Sequence, residues 1–411
     1  MHSRRTRHAA LAVVCLALVV LIGFGESIVN RIEAAQGPMV YGPMFEVDPL
    51  WPKPLPNHWL LGSTIGVSVD NRNHIWIIHR GAALAPGEVP AMQDPPQAAE
   101  CCVPAPAVLE FDQSGTLAGY WGGPGEGYEW PASNHGIFVD HLDNVWIGGN
   151  GGPDSHLLKF DRYGNFLMQV GTAGARMTGP VSDRTGQPTA VPDSNATDSF
   201  GRVAKITVDP KTNEAYVSDG YFNKRVVVLD GETGEFKRFW GAYGNVPDDT
   251  PQGRYDPNAE PSQQFWNPVH CADLSYDGFV YVCDRVGNRI QVFERDGTFV
   301  EELFVAKDTL NAGSAWDLTF SRDGEQKYIY LADGVNAKVY IIDRKEMELL
   351  SSFGDGGRQP GQFYGAHSIV TDHDGNIYVT ETYEGKRVQR FVYKGEGPIS
   401  AGDQGVVWPG N

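Results

Sequence analysis

Histidine recurs at one register in three stretches of this chain: SNHGIFVD around His135, NPVHCADLS around His270 and GAHSIVTD around His367. Each histidine stands five residues before a landmark (Asp140, Ser275 or Asp372), and the landmark opens a turn into a second apolar run. Three further stretches share this frame without the histidine. They carry Ile65, Ala204 and Trp316 five residues ahead of Asp70, Asp209 and Ser321. In chain order the six positions read Ile, His, Ala, His, Trp, His. If the six units close into a ring, the imidazoles come from alternate units and meet a common axis at trigonal spacing. Three neutral nitrogen donors with a fourth position open form the donor set of a catalytic zinc-class ion; structural zinc sites are usually filled by protein ligands.

The elements that must position these residues are short strands split by Gly and Asp turns. The unit containing His135 is the cleanest, with runs at 135–140, 144–149, 156–161 and 164–170. Its third run, LLKFD, recurs as VLEFD (108–112), VVVLD (226–230), IQVFE (290–294), VYIID (339–343) and VQRFV (388–392). Fourth runs end in an aromatic residue or valine followed by glycine, as in YWGG (120–123), VGTAG (170–174), FWGAYG (239–244) and SFGDGG (352–357). Six such units predict an all-β, six-bladed β-propeller. The last unit runs out at Val392, and MVYGPMFEVD (39–48) is available as its fourth strand, closing the ring and removing open sheet edges. The expected organisation is an N-terminal export segment or anchor at 1–35, the propeller at 36–395 and a tail at 396–411.

In a propeller blade the first strand is innermost and the second runs antiparallel to it. The starts of first strands, the ends of second strands and the long insertions at 81–106, 171–202 and 241–267 therefore share one face. At second-strand ends stand Arg80 (IIHR), Tyr221 (SDGY) and Arg285 (VCDR), which places two cations and a phenol around the mouth that the histidines line. Fixed guanidiniums suit a carboxylate, and a phenol can act as a base where its pKa is lowered. The bland alternative pairs the arginines with Asp219 or Asp284 and makes Tyr221 a core cap. Asp140, Asp209 and Asp372 read as turn formers, and Ile65 and Trp316 as lining of the axial channel.

Composition agrees with strands and turns: 49 Gly, 27 Pro and 11% aromatics, with no sustained helical period. A net charge of −18 excludes nucleic acid or an anionic membrane surface as an electrostatic partner. The N-terminus opens with basic MHSRRTRH followed by an almost wholly apolar run at 9–25, the pattern of an export signal just short of a comfortable bilayer span. An exported protein is expected, periplasmic or extracellular, touching a membrane only if this segment is retained. A monomer is expected. Cys15 lies in the export segment. Cys271 and Cys283 flank a turn symmetrically and can pair across two strands, whereas Cys101 and Cys102 are adjacent and can form a vicinal disulfide or remain thiols.

At these residues the chain resembles the NHL-repeat propellers, and specifically the peptidyl-α-hydroxyglycine α-amidating lyase family. The resemblance spans residues 60–393. IIHRG (77–81) is similar to the family segment with an active-site arginine, here Arg80, and VSDGYFNKRVV (217–227) to the segment with the catalytic tyrosine, here Tyr221. PVHCADLS and VCDRVGNRIQVF resemble the segments of the second zinc histidine and another arginine, here His270 and Arg285. NHGIFVD and HSIVTDHDGNIYVTE resemble those of the first and third zinc histidines, here His135 and His367. Ser368 stands where the family has an aspartate that helps hold a structural calcium, which puts calcium in doubt. Gly365-Ala366 replaces the family's Met-Pro, Phe222 replaces its cysteine after the tyrosine, and CCVPAP (101–106) is not a family feature.

The resemblance implies a zinc-dependent lyase that breaks the C–N bond of a carbinolamide into an amide and glyoxylate, acting on a small molecule or peptide with a carboxylate, and open to a different substrate. Two other readings compete. One is a non-catalytic NHL propeller that binds a protein or glycan. The other is a lactonase-type propeller hydrolase, which needs axial carboxylates rather than imidazoles.

Overall fold

The computed structural model of the chain describes residues 38–410. The export segment expected at 1–35, with Cys15, lies outside the described residues. Six four-stranded antiparallel sheets follow one another. Blade 1 comprises Ser63–Val69, Ile75–Arg80, Val108–Phe111 and Leu117–Trp121. Blade 2 comprises Asn134–Val139, Val145–Gly149, His156–Phe160 and Phe166–Gly171, and blade 3 Val203–Val208, Glu214–Asp219, Arg225–Asp230 and Phe236–Trp240. Blade 4 runs Val269–Leu274, Val280–Asp284, Arg289–Phe293 and Phe299–Phe304, and blade 5 Asp317–Phe320, Tyr328–Asp333, Lys338–Asp343 and Glu348–Phe353. Blade 6 takes Ala366–Thr371, Ile377–Glu381 and Arg387–Ser400 from the C-terminal end and Met39–Asp48 from the N-terminal end.

The closing strand pairs antiparallel with Arg387–Ser400, from Met39 opposite Ser400 to Asp48 opposite Arg390. Because Met39–Asp48 is ten residues long, its partner is drawn out past 395, into what the sequence suggested was tail. The segment beyond also returns to the ring: Val47 N–H donates to the Val407 carbonyl and Gly354 N–H to the Gly405 carbonyl.

Strands of this kind bury apolar side chains on both faces, and the core is accordingly a ring rather than a centre. Six hydrophobic clusters alternate with the six sheets, each shared by two neighbours. Ile65, Trp76 and Val108 of blade 1 pack on Ile137, Val145 and Phe160 of blade 2. At the seam, Ile75, Ile77 and Leu109 of blade 1 meet Tyr378 and Val388 of blade 6. No blade can bury its faces alone, so closure and stability are one event.

The landmark residues sit at the far end of the inner strands and shape the turns. Asp140 accepts from the amides of Leu142 and Asn144 and from the Trp146 indole; Asp70 and Asp372 do the same for their own turns and for Trp76 and Tyr378. A short aspartate at that place satisfies turn amides and fixes an aromatic two positions into the next strand. None of these carboxylates is on the histidine face.

Cys271 lies directly opposite Cys283, and the two form a disulfide with Cα atoms 4.8 Å apart. Cys101 and Cys102 form a vicinal disulfide. Two disulfides belong with an oxidising compartment. Among the described residues no helix is long and apolar enough to cross a membrane.

The insertions are pinned rather than loose. Val103–Pro104 adds in parallel to Trp59–Leu60. Ser194 donates through N–H and Oγ to Asp249, and Arg225 donates to the carbonyls of Ser194, Ala196 and Ser199.

Candidate metal centre and active site

Each of the three histidines is the second residue of its inner strand, and each lies at a one-residue register slip against the second strand. A bulge there re-aims a side chain that regular pleating would send into a blade interface. His135, His270 and His367 are almost wholly buried, and their ring centroids form a near-equilateral triangle with sides of 4.8, 4.9 and 5.2 Å. One nitrogen from each lies within 4.8 Å of the others. The alternate-unit spacing thus brings the histidines together as expected.

The blades without histidine supply what the sequence reading missed. His135 Nδ1 lies 2.7 Å from the carbonyl of Ala204, and His270 Nδ1 bonds the carbonyl of Trp316. His367 feels the Ile65 backbone, but its Nδ1 is buried without a hydrogen-bond partner. A carbonyl only accepts, so in His135 and His270 Nδ1 carries the proton and Nε2 keeps its lone pair. Burial first holds all three pKa values well below the ordinary histidine range, reinforced by His367 and then the arginines for His135 and His270, and by Arg285 and Arg80 for His367. Three neutral imidazoles converging on an axis, two of them oriented by backbone carbonyls, fit a zinc-class ion. The signal was present in the sequence: Ile65, Ala204 and Trp316 occupy the histidine register in the intervening blades.

Tyr221 stands over the triangle, its Oη 2.8 Å from His135 Nε2 and 3.0 Å from His270 Nε2. Arg285 Nη1 donates to the same oxygen at 3.3 Å. Burial raises the phenol's pKa above its ordinary value, with Arg285 and Arg80 pulling the other way. Arg285 lies flat against Trp316, 4.5 Å from the ring centroid, and its Nε has no partner. Arg80 donates to the Asn134 carbonyl at 2.9 Å and to Asn150 Oδ1 at 2.8 Å. Neither arginine has a carboxylate partner among the described residues. The acids that the bland reading assigned to them are already paired, Asp219 with Arg225 at 2.9 Å and Asp284 with Arg289 at 2.8 Å.

Two other acidic clusters already hold protein cations. Arg162 bonds Asp70 and Glu110 beside His74. Lower on the axis, Lys205 Nζ sits 2.7 Å from Asp317 and 2.9 Å from Asp273, and Ser368 Oγ donates to Asp317. The cation among those carboxylates is an ammonium, so they offer a calcium ion little. A cavity of about 290 Å³ on the opposite face reaches Lys205 and Asp273 but not His135, His270 or His367.

His79 braces the blade-1 side. Its Nδ1 accepts from Gly62 N–H at 3.0 Å and its Nε2 donates to the Pro106 carbonyl at 2.9 Å, tying the entry to the inner strand to the end of the 81–106 insertion. Burial pushes its pKa from 6.5 to about 4. The unfolded chain therefore binds a proton that the folded chain refuses, and stability falls as pH drops from 6.5 towards 4. The contribution is at most about 3 kcal/mol. In urea titrations the stability gap between wild type and His79→Asn should narrow by up to that amount between pH 7 and pH 4. A gap independent of pH would contradict this role.

No family model matches the chain. In sequence it is similar to mouse NHL repeat-containing protein 3, 26% identical over 372 residues covering 85% of this chain and 84% of that protein. It is also similar to rat peptidylglycine alpha-amidating monooxygenase, 25% identical over 346 residues. That match covers 80% of this chain but spans only 30% of the relative's length. The fold is similar to that of a Bacteroides thetaiotaomicron protein of unknown function, with a TM-score of 0.50, 12% identity, and coverage of 86% of this chain and 77% of that one. The chain is thus a distant homologue of NHL repeat-containing proteins and of the amidating monooxygenases.

Proposed function

We propose that this chain is a metal-dependent carbon–nitrogen lyase that splits a carbinolamide carrying a carboxylate into an amide and glyoxylate. The observation that carries the reading is the meeting of three converging imidazoles, one phenol oxygen and two guanidiniums without carboxylate partners in a single mouth. Similarity to the amidating monooxygenases supports it, although this chain spans less than a third of their length.

In this reading Arg80 and Arg285 bind the substrate carboxylate and orient the carbon between hydroxyl and amide nitrogen. An ion held by His135, His270 and His367 would supply Lewis acidity to the hydroxyl and a positive charge beside Tyr221. Tyr221 Oη takes the hydroxyl proton, with Arg285 stabilising the phenolate. The oxygen's electron pair forms the aldehyde C=O as the C–N bond breaks, and Tyr221 returns the proton to the leaving amide nitrogen. Atoms and electrons balance without a further reactant.

We place the enzyme in the periplasm or outside the cell, as a monomer acting on a small molecule or peptide. A non-catalytic binding propeller is the second reading, since the match along 84% of mouse NHL repeat-containing protein 3 is to a protein named for its repeats and not for a reaction. The hydrolase reading loses ground because Asp273 and Asp317 are held by Lys205. Purified protein should release glyoxylate from α-hydroxyhippurate or from α-hydroxyglycine peptides in proportion to its zinc. Zinc-loaded protein that releases none removes the lyase reading for those substrates, and protein that neither holds zinc nor turns over favours the binding propeller.

A further inference from the structure

We propose that Arg202 forms a second anion-binding subsite at the same mouth, so that the ligands this propeller prefers carry two anionic groups. The inference rests on the carboxylate-binding reading of Arg80 and Arg285 and adds to it the chemistry of the substrate's remote end.

Arg202 immediately precedes the inner strand of blade 3, on the end where the histidines begin their strands, two residues before the Ala204 carbonyl that orients His135. Its own carbonyl accepts the Tyr221 amide at 3.2 Å, which ties it to the proposed base. Its φ is +68°, a left-handed conformation that a long side chain adopts at a cost and that persists only where its surroundings impose it. The guanidinium lies over Phe222, 4.6 Å from the ring centroid, and its Nε is buried without a partner. Arg202 makes no ion pair among the described residues. The acid whose charge it feels, Asp154, is already held by the amides of Ala132, Ser133 and Gly151.

Acidic residues outnumber basic ones in this chain by 51 to 33, so an arginine there rarely lacks a carboxylate for want of supply. Arg80, Arg202 and Arg285 nonetheless stand at the same end of blades 1, 3 and 4 without one, and Arg80 and Arg202 both feel the charge of Asp154. A single carboxylate is satisfied by one or two guanidinium forks. The third, stacked on Phe222 and half-buried beside the strand end that carries Tyr221, matches a second carboxylate or phosphate on the acyl side of the amide.

The test compares two inert glycine conjugates by titration calorimetry on zinc-loaded protein at low salt: N-glutarylglycine, with two carboxylates, and N-hexanoylglycine, with one. The dianion should bind about tenfold tighter or more. Arg202→Asn, chosen because asparagine accepts positive φ, should bring the two compounds to the same affinity. Raising salt should shrink the preference in wild type and leave the variant's ratio unmoved. Equal affinities in wild type, or a preference that survives Arg202→Asn, would overturn the subsite while leaving the carboxylate reading intact. Binding of neither compound would overturn both.

Discussion

Replacing His135, His270 or His367 with alanine is expected to strip the protein of its metal. Wild type should carry about one zinc-class ion per chain, and each single variant only a small fraction of that after dialysis against a weak chelator. The size of the effect follows from the geometry. Each imidazole is one of three ligands, each is held neutral by burial, and no carboxylate or thiol lies among them as a substitute. The variants should remain folded, because the inter-blade clusters carry the core. His135→Ala also leaves the Ala204 carbonyl without its donor, a penalty of about 1–3 kcal/mol that a thermal melt would register. Elemental analysis reads the first effect and calorimetric melting the second. Full occupancy in the triple alanine variant would sink the site.

Tyr221→Phe is expected to separate chemistry from metal binding. The substitution removes one oxygen, the atom shared by His135, His270 and Arg285, and leaves the ring packed. Loss of a positioned proton acceptor costs about 10²–10⁴ in turnover. The kcat for glyoxylate release should fall by that factor, with zinc content and KM little changed. Arg80→Ala should do the reverse, raising KM for substrates that carry the carboxylate. Because burial already raises the phenol's pKa, the base form of Tyr221 depends on the positive charges around it. Arg285→Met should therefore move the alkaline-activating limb of the pH–rate profile upward, with the variant needing higher pH to reach its plateau. A Tyr221→Phe enzyme with wild-type turnover would remove the tyrosine from the mechanism.

Much of this architecture could be read before any coordinates because its determinants are local. Turn aspartates such as Asp140 and Asp372 satisfy amides two and four residues on, so strand boundaries follow from spacing alone. The repeated LLKFD-type runs mark third strands, and the strand missing after Val392 points to Met39–Asp48 as its replacement. Histidine at one register in alternate units implies a shared axis, since identical positions in a closed ring point the same way. What the ring alone decided is which groups face one another across blade interfaces. The carbonyls of Ala204 and Trp316 orient histidines of the preceding blades; their register is visible in the sequence, but their contact across the blade interface is not. Arg80 and Arg285 remain free because Arg225 and Arg289, arriving from third strands, reach Asp219 and Asp284 first. Arg202 adopts a left-handed backbone that no pattern of residue types foretells. Strand pattern and turn chemistry are properties of neighbours in sequence, whereas tautomer, charge pairing and the number of free cations depend on distances that exist only once six blades have closed.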